Sequence, residues 1–400
     1  HIQRSRQMCS MLSTTRSAGP KSSELLTGVG DAMQIAPAAL AAATPLERHL
    51  RPRNALDLFP TLVCADGGMV SRRDRCGPAR ARWGMSIVVP TVLRHSVGDE
   101  DAGPAWLASL PGLVERATLR WDLVVGEPFE SGMAAWTAPA TTGEGADVVL
   151  KLSFPHPEAR DEASALAAWN GSGAVELLEA HAEDQALLLR RLRPGTSLRD
   201  AALPVENHLA IGAELARSMA AAQVPSGEPF RDLVQVASDL AVVTEARIAR
   251  LVPKAPYSVD VDLCRHAVDL FRTLPASAGR CGLAHGDLNP GNILRGADGW
   301  VAIDPKPVHG DLAWDPWPLL TQVGDWVDGV ASPEDLAART RLVAETTELD
   351  AARIASWCTA RSIASGLWAA DRGWWPGFRG ADGDLARARA WAGAAGQLGR

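Results

Sequence analysis

The sequence has no long hydrophobic run. No apolar stretch in its 400 residues reaches the roughly 18 residues that a membrane-spanning helix needs. The first residues do not show a basic segment followed by an apolar one, which is the pattern of a secretory signal. We therefore predict a cytoplasmic protein with no membrane partner.

Several common metal and nucleotide signatures are also missing. The six cysteines include no CxxC pair and no Cys/His cluster, which argues against a structural zinc site. No G-x-x-x-x-G-K-[ST] sequence occurs, so the chain is not a P-loop enzyme. The fragment GVGD at residues 28–31 is too short for a dinucleotide fingerprint.

Acidic residues outnumber basic residues outside the first 84 residues. Residues 1–84 carry 12 Lys/Arg and six Asp/Glu, whereas residues 85–400 carry 28 and 41. An acidic chain disfavours nucleic-acid binding and suits a small cationic substrate.

Residues 1–84 lack sustained periodicity and are rich in Arg, Ser, Pro and Gly. We predict a disordered or non-native extension there, with a basic interaction arm as the alternative.

The remainder divides into a strand-rich part and a helix-rich part. Between Ala117 and Leu192, short runs of β-forming residues alternate with turn residues, and a helical segment begins around Pro157. From His208 onward, small and apolar residues recur at helical spacing. We predict an α+β fold in which a small β-rich lobe, residues 85–192, precedes a larger helical lobe, residues 193–400.

The segment LAHGDLNPGNILRGADGWVAIDPKP, Leu283–Pro307, concentrates polar residues around a predicted hairpin. NILR and WVAID form its strands, so Asp287, Asn292 and Asp304 are expected to meet at one end. Oxygen-bearing side chains in such a group suit a hard cation such as Mg²⁺. In the alternative interpretation, these side chains only cap backbone groups of the turns.

The spacing within this segment favours phosphoryl-transfer chemistry. Asp287 precedes Asn292 by five residues, as in the catalytic loop of kinases. Asp304 ends a strand, as the metal-binding aspartate of kinases does. We therefore interpret Asp287 as the catalytic residue that orients the acceptor hydroxyl, and Asn292 and Asp304 as metal ligands.

A lysine and a glutamate in the strand-rich part complete this set. Lys151 lies among apolar β-forming residues, which is a costly place for an unpaired ammonium group. Kinases use such a strand lysine to contact the α- and β-phosphates of ATP, and pair it with a helix glutamate. Glu162, eleven residues later, is the preferred partner, and Glu158 and Asp161 are the alternatives.

The loop GEPFESGMAAW would cover the phosphates, with Gly126 and Gly132 as the nucleotide-binding candidates. This loop lacks the G-x-G-x-x-G spacing of protein kinases. The two assignments therefore depend only on the position of the loop between predicted strands.

With these motifs together, the chain resembles the aminoglycoside/hydroxyurea antibiotic-resistance kinases, in particular the streptomycin 6-kinases. The resemblance spans roughly Leu110 to Trp391. The resembling runs are GEPFESGMAAWTAPA, VVLKLSFPHPEARDEASALAAWNGSGAVELLEA, LLLRRLRPGTSL, HGDLNPGNIL and WVAIDPKPVHGDLAWDPW.

The resemblance implies a protein-kinase-like two-lobed fold and ATP-dependent, Mg²⁺-supported phosphorylation of a small cationic antibiotic. The implied acceptor is the 6-hydroxyl of streptomycin, and phosphorylation of this group would confer resistance. Hydroxyurea or another small metabolite is the alternative acceptor, and an inactive kinase-like binding protein is a further alternative. We expect a monomer and no nucleic-acid partner.

Other residues receive structural or open assignments. We expect His285 to be a hydrogen-bonding residue rather than an acid or base, and Asp311 to cap or hydrogen-bond the catalytic loop. The guanidinium groups of a streptomycin-like acceptor need carboxylates, and several acidic residues of the last third are candidates. They are Asp325, Asp328, Glu345, Glu348 and Asp371.

Overall fold

The structure is a computed structural model, and it describes residues 87–400 except residues 99, 131, 224–229, 325–330 and 376–380. The predicted extension at residues 1–84 and two acceptor candidates, Asp325 and Asp328, lie outside the described residues. The predictions about them stay predictions. Among the described residues, no helix is long and apolar enough to cross a membrane.

A five-stranded antiparallel sheet with strand order β1-β2-β3-β5-β4 forms the smaller lobe. The central strand, β3, pairs Lys151 with Thr137 on one side and with Leu187 on the other. Lys151 therefore lies in the middle of the sheet. The strands are β1 (Leu123–Val125), β2 (Ala135–Thr142), β3 (Asp147–Ser153), β4 (Leu177–His181) and β5 (Ala186–Arg190).

Two helices precede this sheet and cover one of its faces. They are α1 (Thr91–Gly98) and α2 (Gly103–Trp121). Trp106 and Leu110 of α2 share a hydrophobic core with Trp136 and Leu150 of the sheet. This core belongs to the smaller lobe, and its burial stabilises the strand that carries Lys151.

The strand predicted from Ala117 onward is wrong in its first residues, which belong to helix α2. The residues up to Trp121 are helical, and only Leu123–Val125 are extended. The buried residues of α2 recur at intervals of three or four, which is the helical period. Asp122 ends the helix at φ 47°, where its backbone N–H donates to the carbonyl oxygen of Thr118.

Helix α3, Glu162–Trp169, begins five residues later than Pro157 suggested. The residues before it form turns. Asp161 stands at the N-cap position without a side-chain cap. Its carboxylate instead accepts hydrogen bonds from Arg160 Nε, at 2.6 Å, and from the backbone N–H of Arg231, at 3.2 Å.

The larger lobe consists mainly of helices. Its central helix buries 15 of its 21 residues, as expected for a helix surrounded by protein on all sides. The buried residues Ala165, Leu166 and Trp169 of α3 belong to the same hydrophobic core as this lobe. The helices are α4 (Val205–Ala220), α5 (Leu233–Leu251), α6 (Val261–Thr273), α7 (Trp317–Thr321), α8 (Pro333–Thr347), the central α9 (Ala351–Asp371) and α10 (Ala381–Leu398).

Short strands in the larger lobe bring the polar segments together. Strands β6 (Arg231–Asp232), β10 (Val308–Asp311) and β7 (Cys281–Ala284) form a small sheet in the order β6-β10-β7. Strands β8 (Ile293–Arg295) and β9 (Trp300–Ala302) form the predicted hairpin. The α+β fold with a small sheet lobe and a larger helical lobe is thus confirmed.

Candidate active site

A buried ion pair connects the central strand of the small lobe with the helix beside it. Lys151 Nζ on β3 lies 2.7 Å from Glu162 Oε1 and 2.8 Å from Oε2, at the first residue of α3. Both side chains are almost fully buried. Burial would lower the pKa of Lys151, but the carboxylates of Asp304 and Glu162 hold that pKa above its ordinary value.

The rival partners of Lys151 are engaged elsewhere. The carboxylate of Asp161 contacts Arg160. Glu158 Oε1 lies 3.6 Å from Arg231 Nη1. Among the three predicted partners, the structure therefore places Glu162 against Lys151.

Asp304 lies two residues after the end of β9, and two lysines contact its carboxylate. Lys151 Nζ is 2.5 Å from Oδ1, and Lys306 Nζ is 3.2 Å from Oδ2. Burial opposes ionisation, but the two ammonium groups hold the pKa of Asp304 well below its ordinary value. Its backbone has φ 55°, in the left-handed region where Asp and Asn are enriched.

The carboxylate of Asp287 is held by two amide groups from its own loop. Asn289 Nδ2 donates to Oδ1 at 3.1 Å, and Asn292 Nδ2 donates to Oδ2 at 3.3 Å and to the backbone oxygen of Asp287 at 3.0 Å. Burial raises the pKa of Asp287 to about 6. The group is therefore still mainly a carboxylate at neutral pH, able to accept a hydrogen bond from a hydroxyl.

The backbone before Asp287 is anchored by a second aspartate. Asp315 Oδ1 accepts from the backbone N–H of Gly286 at 2.7 Å, and its Oδ2 accepts from that of His285 at 3.0 Å. Asp311 was predicted to cap or hydrogen-bond this loop. Asp311 does cap the short 3₁₀ helix that follows it, through Ala313 N–H, but Asp315 binds the loop that carries Asp287.

The position of Asp311 explains this division. Its Oδ2 accepts from Arg353 Nε and from Trp357 Nε1, both at 2.6 Å. These partners lie on the central helix α9, so Asp311 connects strand β10 to the core of the larger lobe. Only the contacts between distant segments decide which of the two aspartates reaches the loop.

His285 is a structural residue in this arrangement. Its Nε2 donates to the carbonyl oxygen of Ile303 at 3.2 Å, and its Nδ1 accepts from the backbone N–H of Asp287 at 3.3 Å. These contacts require the neutral ring with its hydrogen on Nε2. Burial lowers the pKa of His285 to about 3, and the ring stacks on Trp169 at a centroid distance of 6.0 Å.

The chain is similar to proteins of one known family. Residues 120–373 match the family model described as aminoglycoside/hydroxyurea antibiotic resistance kinase. The chain belongs to this family. It is a phosphotransferase that acts on a hydroxyl group, and both predictions are confirmed.

Curated relatives of this kinase include enzymes with two different acceptors. The streptomycin 6-kinase of Streptomyces glaucescens is 31% identical over 71% of this chain and 91% of its own. The streptomycin 6-kinase of Streptomyces griseus is 32% identical over 70% of this chain and 91% of its own. The hydroxyurea phosphotransferase of Kitasatospora aureofaciens is 33% identical over 68% of this chain and 76% of its own.

Similar solved structures are more distant from the kinase. Choline kinase LicA from Streptococcus pneumoniae is 15% identical, with a TM-score of 0.49, and covers 72% of this chain and 99% of its own. A thermostable mutant of aminoglycoside phosphotransferase APH(4)-Ia, in ternary complex with ADP and hygromycin B, is 13% identical, with a TM-score of 0.46, over 69% of this chain and 96% of its own.

The side chains of Asp304 and Asn292 suit a metal bound together with a nucleotide. Among the described residues, no group of three or more His, Cys, Asp or Glu could hold a metal alone. Asp304 and Asn292 together offer only two side chains as ligands. Two protein ligands are sufficient for Mg²⁺ when substrate phosphates and waters supply the remaining ligands. Asn292 turns its Nδ2 to Asp287, and no described residue donates a hydrogen bond to its Oδ1, which can therefore act as a ligand.

Two positively charged residues of the site carried no sequence assignment. Lys306 contacts Asp304, as described above. Arg231 Nη2 donates to the carbonyl oxygen of Lys306 at 3.0 Å, while its own backbone N–H donates to Asp161. Arg231 therefore connects the turns before α3 with the segment after Asp304. Arg231 adjoins no motif, so its sequence context offers no signal.

The two candidate glycines lie at either end of the loop between β1 and β2. A Cβ at Gly126 would lie 3.3 Å from the carbonyl oxygen of Pro139, and one at Gly132 would clash with that of Ala135. A Cβ at either position would lie close to a carbonyl oxygen of β2, so packing against β2 favours glycine at both positions. A role in covering the nucleotide stays a prediction.

The described acceptor candidates differ in how far their charge is already neutralised. Asp371 accepts from Arg250 at 2.7 Å and from Arg247 at 3.3 Å, so its charge is less available to a cationic acceptor. Glu348 lies 3.8 Å from Arg280. Glu345 is exposed. The structure does not bring these residues into one group.

The anchoring role of Asp315 leads to a stability prediction. Asp315→Asn keeps the size of the side chain but turns an NH₂ group toward a backbone N–H, which leaves a buried donor unsatisfied. We expect a loss of about 1–3 kcal/mol in the free energy of unfolding, measured by urea denaturation. Asp298→Asn, at an exposed bend between β8 and β9, is the control. Equal stability of the two variants would contradict the anchoring role.

Proposed function

We propose that this kinase transfers the γ-phosphoryl group of ATP to the 6-hydroxyl of streptomycin. This modification of the antibiotic would confer resistance. The observation that carries the proposal is the juxtaposition of Asp287 with the group formed by Lys151, Glu162 and Asp304. The identity of about 31–32% with two streptomycin 6-kinases supports this acceptor. Because the hydroxyurea phosphotransferase is equally similar, hydroxyurea is the second candidate acceptor.

The residues divide the work of phosphoryl transfer. Lys151, fixed by Glu162, would contact the α- and β-phosphates of ATP. The acceptor hydroxyl would donate to the carboxylate of Asp287, which the amide groups of its loop hold in place. The acceptor oxygen then bonds to the γ-phosphorus while the bond to the β–γ bridging oxygen breaks. ADP leaves with that electron pair, and the hydroxyl proton passes to Asp287.

Asp304 and Asn292 would hold Mg²⁺, which when bound neutralises charge on the β- and γ-phosphates. Their oxygens are the hard ligands that this ion prefers. A complete set of these side chains also disfavours an inactive kinase-like binding protein. ATP as the donor agrees with the predicted cytoplasmic location, and a monomer stays the predicted state.

An acceptor comparison tests the proposed substrate. We expect Mg²⁺-dependent formation of ADP with streptomycin at a rate well above that with kanamycin, with hydroxyurea or without acceptor. The reason is that the catalytic constant depends on an acceptor hydroxyl placed at Asp287. The measurement is a coupled ADP assay with mass spectrometry of the product. Phosphorylation of hydroxyurea alone would shift the assignment to the second acceptor.

Two substitutions test the division of labour between the aspartates. Asp287→Asn should lower turnover by about 10²–10⁴-fold and leave ATP affinity nearly unchanged, because only the proton acceptor is lost. Asp304→Asn should weaken nucleotide use as well, with partial recovery at high Mg²⁺, because a metal ligand is lost. Turnover and nucleotide affinity are measured for both, with circular dichroism as the folding control. Near-normal turnover of Asp287→Asn would refute its role.

A further inference from the structure

Lysine is rare in this chain, and half of its lysines meet in the site. Of the 40 Lys and Arg residues, only Lys21, Lys151, Lys254 and Lys306 are lysines. Two of these four, Lys151 and Lys306, contact the single carboxylate of Asp304. The chain thus uses arginine as its general cation, and two of its few compact ammonium groups lie against Asp304.

Lys306 is held firmly between the catalytic loop and the small sheet of the larger lobe. Its backbone N–H donates to the carbonyl oxygen of His285 at 2.8 Å, and its own carbonyl oxygen accepts from Arg231. Only 7% of the residue is exposed. The charges of Asp304 and Asp287 are the two carboxylate charges that act on it most strongly.

The two lysines differ in the partners that they have besides Asp304. Lys151 also makes two hydrogen bonds to Glu162. Among the described residues, the ammonium group of Lys306 hydrogen-bonds only to Asp304. If Asp304 serves as a metal ligand, two ammonium groups and a divalent cation around one carboxylate would repel one another. Lys151 keeps a partner when that contact is lost, whereas Lys306 needs a new one.

We propose that Lys306 is a further catalytic residue, whose ammonium group contacts the γ-phosphoryl group of ATP. This inference rests on the proposed function. Lys306 contacts Asp304, the residue assigned to the metal, and its backbone N–H donates to His285, two residues before Asp287, so a phosphoryl group between these residues is its nearest new anion. As the acceptor oxygen bonds to phosphorus and the bond to ADP breaks, Lys306 stabilises the charge on the phosphoryl oxygens and keeps its own proton.

A purely structural role would have a different signature. A lysine that only neutralises Asp304 would affect every nucleotide that binds near Asp304 to the same extent. A lysine that contacts the γ-phosphoryl group distinguishes a nucleoside triphosphate from the diphosphate. The comparison of ADP with a non-hydrolysable ATP analogue therefore separates the two roles without any turnover.

The test is Lys306→Met, studied by isothermal titration calorimetry with ADP and with AMP-PNP at saturating Mg²⁺. We expect affinity for AMP-PNP to fall about tenfold or more, affinity for ADP to change less than about twofold, and kcat to fall roughly 10²–10³-fold. Lys254→Met, at an exposed position, is the matched control and should change none of these. Lys151→Met should weaken both nucleotides.

Equal loss of ADP and AMP-PNP affinity, or no loss of either, would overturn the proposal for Lys306. If Lys306→Met fails to fold, Lys306→Gln serves in its place, because it keeps a hydrogen-bond donor for Asp304 and removes the charge. Both nucleotide affinities are independent of the acceptor. A wrong acceptor assignment would therefore leave this result intact, and normal kcat in Lys306→Met with streptomycin would overturn the inference alone.

Discussion

The site depends on one row of alternating charges, Glu162–Lys151–Asp304–Lys306, that joins the two lobes. Buried charges are stable only when opposite charges and hydrogen bonds compensate for the lost hydration. The small lobe contributes Lys151 and Glu162, and the larger lobe contributes Asp304 and Lys306. Each lobe contributes one cation and one anion, and the contact between Lys151 Nζ and Asp304 Oδ1, at 2.5 Å, joins the two pairs, so the charges favour the arrangement in which the lobes meet here.

Asp287 lies on a loop whose backbone is fixed by hydrogen bonds to the residues before Asp287. Asp315 binds two consecutive backbone N–H groups, and His285 spans from the loop to Ile303. Such contacts limit the positions open to the carboxylate of Asp287 before any substrate arrives. Preorganisation of this kind reduces the entropy that must be lost when a reactive geometry forms.

Sequence patterns located those parts of the site whose residues lie close along the chain or on adjacent elements. The interval from Asp287 to Asn292 and the strand lysine followed by Glu162 were sufficient for this purpose. The contributions of Lys306 and Arg231 were missed, and the bond to the loop was expected from Asp311 and not from Asp315, because contacts between distant segments decide them. The strand predicted from Ala117 failed because the helical period of the preceding residues continues through it.

The central claim is that the row of charges, together with Asn292, forms a site for a nucleotide and a divalent cation. The most direct measurement is the affinity of the unmodified protein for ADP, determined by calorimetry with Mg²⁺ and again with excess EDTA. The account predicts binding at least about tenfold tighter with Mg²⁺, because the metal joins the phosphates to Asp304 and Asn292. Equal affinity under the two conditions would contradict it.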